Sequence, residues 1–213
     1  MTELPSTSAI ADVLALWGLD GWLTPPLLPI APAPLSTMAR VLTVEVRVGA
    51  EGPGMVPIYD VLSNDLRDTA LVIAGAEDAP GAVWGELLSM AAKQQGAQAA
   101  LVEGWVRDRA EVEAIGLPMY ASGERIAGPG GRAHIVAVGG QVNIGGVAVA
   151  SDDVVVLDAA GCVRIAGERV HEVLDAARRY AAAEQQVAEA LAAGEPLTRA
   201  YAHKKSMVDE LRR

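Results

Sequence analysis

Between residues 85 and 108 the chain reads GELLSMAAKQQGAQAALVEGWVRD, and this run narrows what can surround it. A helical pattern opens on Gly85-Glu86 and stops at Gly96; the apolar run that follows reads as a buried strand, and a turn then delivers Arg107 beside Asp108. The same alternation continues on either side. ALVIA at 70–74 is a fully apolar strand candidate, 109–115 reads as a short helix with Gly116 as its stop, and 118–121 as the next strand. Strands linked through helices imply parallel crossovers, hence an α/β core over 41–122. The chain supplies Val, Ile, Leu and Ala in short Gly-flanked runs, with an aromatic share of only 4% and no Phe, which suits a sheet covered on both faces.

Around this core, residues 6–17 open on Ser and Thr that can cap a helix, and Ile10, Val13, Leu14 and Trp17 follow at helical spacing until Gly18. Five prolines within 23–34 predict an extended loop, crossing the surface or reaching a neighbouring subunit. Residues 41–48, VLTVEVRV, alternate with period two, the pattern of a half-buried strand, and 55–66 reads as a short amphipathic segment. After Gly123 the character changes. Three β-like pieces at 134–138, 142–149 and 154–158, punctuated by Gly pairs, predict an antiparallel sheet or small barrel attached to the α/β part, within a β-rich stretch 132–165. A long helix is expected over 170–193, stopped near Gly194 and Pro196, before a polar tail; the helical region as a whole is 170–213.

A net charge of -10 over 213 residues argues against nucleic acid as a partner, whose affinity rests on Lys and Arg releasing counterions. The lone Cys162 excludes an intrachain disulfide framework and is expected to pack in the core. With no charged-then-apolar leader and no run of eighteen or more apolar residues, a soluble cytoplasmic protein without membrane contact is the simplest expectation.

Glu86, Arg107 and Asp108 stand at element ends, where a strand-helix-strand unit exposes amides and side chains. The first-turn amides of Glu86, Leu87 and Leu88 favour an anion, Arg107 matches a carboxylate with a two-pronged contact, and Asp108 is a hard oxygen ligand suited to Mg²⁺ or Mn²⁺. A plainer reading stands beside this one, and spacing alone favours it. Asp108 would cap the following helix, Glu86 would complement a helix dipole, and Arg107 would pair with Glu103 or Glu111. The glycines at 128–131 lack the Lys-Ser/Thr continuation of a P-loop, and His134, His171 and His203 lack metal-ligand spacing.

The run WGELLSMAAKQQGAQAALVEGWVRDRAEVEAIGLPMYASG resembles the signature of the RraA-like proteins, which include the regulator of ribonuclease activity A and the 4-hydroxy-4-methyl-2-oxoglutarate/4-carboxy-4-hydroxy-2-oxoadipate aldolases. STSAIADVL resembles the family's early helix, and GPGGRAHIVAVGGQVNIGGVAVASDDVVVLDAAGCV its β-rich second half, so the likeness covers roughly 6–180. The acidic residue, twenty positions, then Arg-Asp is its most discriminating spacing. The resemblance implies a single RraA-like domain over 1–213, a swivelling α/β/β fold with a C-terminal helix, assembled as a homotrimer or a dimer of trimers (a homohexamer). For the aldolase branch it implies that Arg107 binds pyruvate, that Asp108 holds a divalent metal (Mg²⁺ or Mn²⁺) largely through water with Glu86 assisting, and that Gly85, Leu87 and Leu88 contact the substrate. Glu86 stands where the aldolase pattern has Asp, Leu66-Arg67-Asp68 replaces the family's Pro-Gly-Asp, and Asp152-Asp153 its later Gly-Asp. The implied activity is a class II, metal-dependent lyase that cleaves 4-hydroxy-2-oxo acids to pyruvate, with oxaloacetate decarboxylation by the same enolate chemistry. The alternatives are a non-catalytic regulator that binds a ribonuclease, and a biosynthetic enzyme with a changed substrate on the same scaffold.

Overall fold

The computed structural model describes residues 3–24, 26–33 and 35–212. The Ser6 hydroxyl accepts the Ala9 N–H at 3.2 Å and starts α1 (Thr7–Leu16); Gly18, at φ +66°, ends it in the left-handed conformation that glycine adopts without strain. The proline-rich stretch corrects the loop expectation in part. It contains β1 (Leu28–Ala31), which pairs with a single neighbour, so Pro29 sits in an edge strand where a missing N–H costs no ladder bond. Pro25 and Pro34 of that stretch lie outside the described residues.

β2 (Thr37–Val48) is followed by α2 (Pro57–Val61), β3 (Thr69–Ala76), α3 (Glu86–Gln94), β4 (Ala99–Val106), α4 (Arg109–Ile115) and β5 (Met119–Glu124). β2, β3, β4 and β5 lie side by side and parallel, as the strand-helix alternation requires. Both faces of this layer are covered. Leu71, Ile73, Ala100 and Val102 face a core shared with α2, α3 and α4, whereas Ala70, Val72, Ala99 and Leu101 face a second core.

Most of the second half joins the main sheet in place of an attached sheet or small barrel; among the described residues only 141–150 form a two-stranded sheet of their own. β6 (Ala133–Val138) and β9 (Val154–Asp158) both pair antiparallel with β2, on its C-terminal and N-terminal halves respectively, and β10 (Gly161–Ile165) pairs with β9. The physical reason is the length of β2: twelve residues leave one edge long enough for two antiparallel partners in series. The piece expected over 142–149 is a hairpin of β7 (Gln141–Ile144) and β8 (Val147–Ala150), turned by Gly145 and Gly146, both at positive φ. It closes the second core with Val142, Ile144, Val147 and Val149.

α5 (Val170–Ala192) packs Val173, Leu174, Ala177 and Tyr180 against α1 and the outer strands, and Gly194 at φ +88° stops it. The tail is helical: α6 (Leu197–Ala200) and α7 (Ala202–Leu211) fold back on α5, held by Lys204 to Glu184 at 2.6 Å. Among the described residues no helix is long and apolar enough to cross a membrane.

Candidate active site

The C-terminal end of β4 and the N-terminal end of α3 meet through a short continuation of the sheet. Val83 N–H donates to Trp105 O at 2.8 Å and Arg107 N–H to Trp84 O at 3.1 Å, so residues 83 and 84 run parallel to β4. Trp84 is fully buried, and its indole N–H donates to the buried Ser89 hydroxyl at 2.9 Å, anchoring the first turn of α3 from within. Gly85 is thereby pressed against residues 107 and 108. A Cβ there would lie 2.8 Å from Asp108 Oδ2 and 2.9 Å from Arg107 Cγ. The backbone of Gly85 is extended, so the requirement for glycine is one of space.

This packing brings together the three charges singled out by sequence. Asp108 Oδ2 accepts the Glu86 N–H at 3.3 Å and lies 3.4 Å from Arg107 Nε. Asp108 therefore caps α3, twenty-two residues earlier in the chain, and makes no side-chain bond to the amides of α4, the helix it precedes. Its own backbone is left-handed, at φ +61°, an uncommon conformation for a non-glycine residue that aspartate tolerates better than most. The pairing of Arg107 with Glu103 is corrected as well. Glu103 belongs to the other face of the sheet, where it accepts Gly75 N–H at 3.0 Å and Gly145 N–H at 2.8 Å, fastening the β7–β8 hairpin. The ion-pair partner of Arg107 is Asp108, not Glu111.

Two features leave this corner open to a ligand. The Arg107 side chain is 47% exposed and, among the described residues, its guanidinium makes no hydrogen bond within the chain. The amides of Leu87 and Leu88 in the first turn of α3 likewise have no partner there, and the helix dipole favours negative charge beside them. Gly85, Glu86, Leu87, Leu88 and Arg107 all line one cleft of about 550 Å³. Its remaining wall was not legible in the sequence: Met55, Ile58, Tyr59 and Leu62 from around α2, and Gly128-Pro129 from a loop held by Ala82 N–H to Ala127 O at 2.8 Å. The amphipathic pattern of 55–66 and the Gly-Pro-Gly at 128–130 were the available signals.

As a metal site the donor set is sparse. Among the described residues no group of three or more His, Cys, Asp or Glu converges. Asp108 has Oδ1 unengaged, and the half-buried Glu86 carboxylate has no partner among the described residues. One or two carboxylates with room for water fit Mg²⁺, which keeps several waters, better than a metal that wants a full set of protein ligands. Elsewhere, burial first, and then the nearby Asp158 carboxylate, push the Cys162 thiol up to about 12, so it is no nucleophile at neutral pH. His134 is buried and structural: its Nδ1 accepts Gly54 N–H at 2.9 Å, and Nε2 lies 3.2 Å from Gly49 O.

The RraA-like family model, described as Aldolase/RraA, matches residues 7–164, well over half of the chain. The chain belongs to the RraA-like family. Over 116 residues it is 30% identical to an uncharacterized protein of Methanocaldococcus jannaschii, a match covering 54% of this chain and about half, 55%, of that relative. Two crystal structures share the RraA-like fold. An uncharacterized protein from Pseudomonas syringae pv. tomato superposes with a TM-score of 0.79 at 23% identity, covering 92% of both chains. Streptomyces coelicolor RraAS2, described as an unusual member of the RNase ES inhibitor RraA protein family, superposes with a TM-score of 0.73 at 22% identity over 84% of this chain and 89% of its own.

Because Gly85 abuts both charged residues, Gly85→Ala is expected to leave the fold in place while displacing Arg107 and Asp108. A displacement on the order of 1 Å in a positioning group costs about 10²-fold in rate. The measurement is a circular dichroism melt alongside turnover of the 2-oxo acids that the family resemblance implies as substrates; full turnover at an unchanged melting temperature contradicts the expectation.

Proposed function

We propose that this RraA-like chain is a divalent-metal-dependent lyase of the class II pyruvate aldolase type, cleaving 4-hydroxy-2-oxo acids to pyruvate and decarboxylating oxaloacetate at the same site. The observation that supports the reading is that the half-exposed Arg107 guanidinium and the unpartnered amides of Leu87 and Leu88 open onto one cleft, with the Asp108 carboxylate, itself outside the cleft lining, 3.4 Å from Arg107 Nε.

Arg107 binds the C1 carboxylate through its fork of N–H donors, and the amides of Leu87 and Leu88 donate to the same end of the substrate. Asp108 Oδ1 takes the proton of the C4 hydroxyl through an intervening water, with Glu86 orienting that water. The C3–C4 bond then breaks. Its electron pair passes into the C2–C3 enolate, C4 becomes the carbonyl of the leaving fragment, and a proton returned to C3 completes pyruvate. Negative charge grows on the C2 oxygen beside Arg107 and the α3 amides, donors fixed before the reaction begins. Asp108, with Glu86 at hand, would hold a divalent cation, which when bound would polarise the 2-oxo group as a Lewis acid. Homotrimeric or hexameric assembly belongs to the same proposal, on the family resemblance.

Pyruvate release from 4-hydroxy-2-oxo acids and from oxaloacetate is expected with Mg²⁺ or Mn²⁺, to fall by about 10²-fold or more in EDTA, and to return on adding metal. Turnover indifferent to EDTA overturns the metal-dependent reading. The second reading, a non-catalytic regulator of a ribonuclease, draws on the charge of -10, which suits a basic RNA-binding segment on a partner. Salt-sensitive capture of a ribonuclease together with absent lyase activity favours it.

A further inference from the structure

The cleft is larger than pyruvate needs, and most of its lining is apolar. Among its lining residues Arg107 is the sole cation and Glu86 the sole anion, both at the junction of β4 and α3. The other lining residues include the apolar Met55, Ile58, Leu62, Leu88 and Ala91 together with Tyr59, and Ser63 as a small polar member whose hydroxyl is spent on Tyr59 O at 2.7 Å. We infer that this part of the cleft is a subsite for an uncharged, apolar substituent at C4 of the oxo acid. The class of substrate is then 4-hydroxy-2-oxo monocarboxylates, whose cleavage releases an apolar aldehyde or ketone in addition to pyruvate. The class rests on the lyase reading; the subsite itself rests on the walls.

A second carboxylate on the substrate would meet no unpaired counter-charge among the described residues of this chain lining the region. Arg125 is committed elsewhere: its guanidinium lies 4.0 Å above the Trp105 ring and donates to Ala79 O at 3.3 Å and Pro80 O at 3.0 Å. Arg109 is paired with Glu113 and Glu124, and Lys93 Nζ donates to Gly116 O at 2.8 Å. Arg132, past the Gly128-Pro129 lip, is not among the lining residues. An unpaired carboxylate against apolar walls loses hydration with no compensating contact, whereas an alkyl group gains from leaving water. A volume of about 550 Å³ accepts such a chain behind the 2-oxo acid head. Tyr59, 58% exposed on its own, and Leu87, 72% exposed, offer further apolar area at the rim.

The experiment has a binding arm and a turnover arm, both on the full chain with Mg²⁺. In calorimetric titrations of 2-oxobutanoate, 2-oxohexanoate, 2-oxooctanoate and 2-oxoglutarate, affinity is expected to rise by about threefold per added methylene, and 2-oxoglutarate to bind at least about tenfold more weakly than 2-oxohexanoate. Tyr59→Arg, at an exposed position, is expected to narrow or invert that preference with the circular dichroism spectrum unchanged. Affinity independent of chain length, or 2-oxoglutarate binding as tightly as 2-oxohexanoate, overturns the subsite. The turnover arm compares pyruvate release from 4-alkyl and 4-carboxylated 4-hydroxy-2-oxo acids. Faster release from the alkyl substrates supports the subsite, and release favouring the carboxylated ones rejects it while leaving the lyase reading intact. Length-dependent binding with no release from any substrate rejects the lyase and retains the subsite.

Discussion

Asp153→Ala is expected to lower the unfolding free energy by about 3–5 kcal/mol, the range for breaking a buried ion pair from one side. The Asp153 side chain is 4% exposed, and both its oxygens are engaged. Arg164 forks onto it with Nε at 2.7 Å and Nη2 at 2.9 Å, Ala150 N–H donates at 2.8 Å, and Gly167 N–H reaches it at 3.3 Å. One carboxylate thus ties the end of β8, the start of β9, β10 and the entry to the C-terminal helices. Little rearrangement is available, since a Cβ at Gly167 would already meet Asp152 O at 2.3 Å. Truncation leaves a largely buried guanidinium and two amides without their acceptor, which costs more than the pair contributes. Asp153→Asn keeps one acceptor oxygen but loses the charge and turns an NH₂ toward the donors that the other oxygen served, so its loss is expected to approach that of the alanine variant. Urea denaturation at one fixed protein concentration measures both, because assembly would otherwise shift the midpoint. A loss under about 1 kcal/mol for the alanine variant contradicts the argument.

The family's later Gly-Asp is Asp152-Asp153 here, and sequence alone presented that substitution as a departure without a role. The role of Asp153 depends on Arg164, eleven residues away, and on Gly167, neither of which carries a local signal. The parallel core was legible for the opposite reason: each of its apolar runs is bounded by its own glycine stop, and Gly96 and Gly116 do adopt positive φ. What sequence did not carry was pairing on the other edge of β2. Alternation in VLTVEVRV marks which side chains face the core and says nothing about which strands fill the flanking edges, so β6 and β9 read as a separate sheet. β10 escaped notice because GCVRI is short and opens on a glycine. The site divides in the same way. Glu86, Arg107 and Asp108 lie within one strand-helix-strand unit and could be read together, yet the side chain of Asp108 turned out to cap α3 and not the adjacent α4. The apolar wall comes from residues 55–62, and only tertiary packing brings it opposite Leu88 and Ala91.

Arg107→Ala is expected to lower kcat/KM for pyruvate release by about 10³-fold, the scale found when one preorganised donor to developing charge is removed, and Asp108→Ala by about 10²- to 10⁴-fold, the scale of a lost general base. The two losses have different signatures. In the proposed lyase Arg107 would contact the carboxylate in ground state and transition state alike, so part of its effect is expected on KM; Arg107→Lys keeps the charge but loses the planar fork and belongs between wild type and alanine. Asp108 also serves the helix, through the Glu86 N–H at 3.3 Å, so under the lyase proposal its alanine variant mixes a lost cap with a lost carboxylate. Asp108→Asn separates them. The amide oxygen still accepts from Glu86, so stability is expected to stay within about 1 kcal/mol of wild type, while weaker metal binding raises the Mg²⁺ concentration needed for half-maximal rate. Because the two groups serve the same bond-breaking step as a unit, the double alanine variant is expected to lose little more than the worse single one. Unchanged turnover in both single variants, with melting curves intact, would remove Arg107 and Asp108 from the chemistry and leave their 3.4 Å contact as a helix-capping device alone.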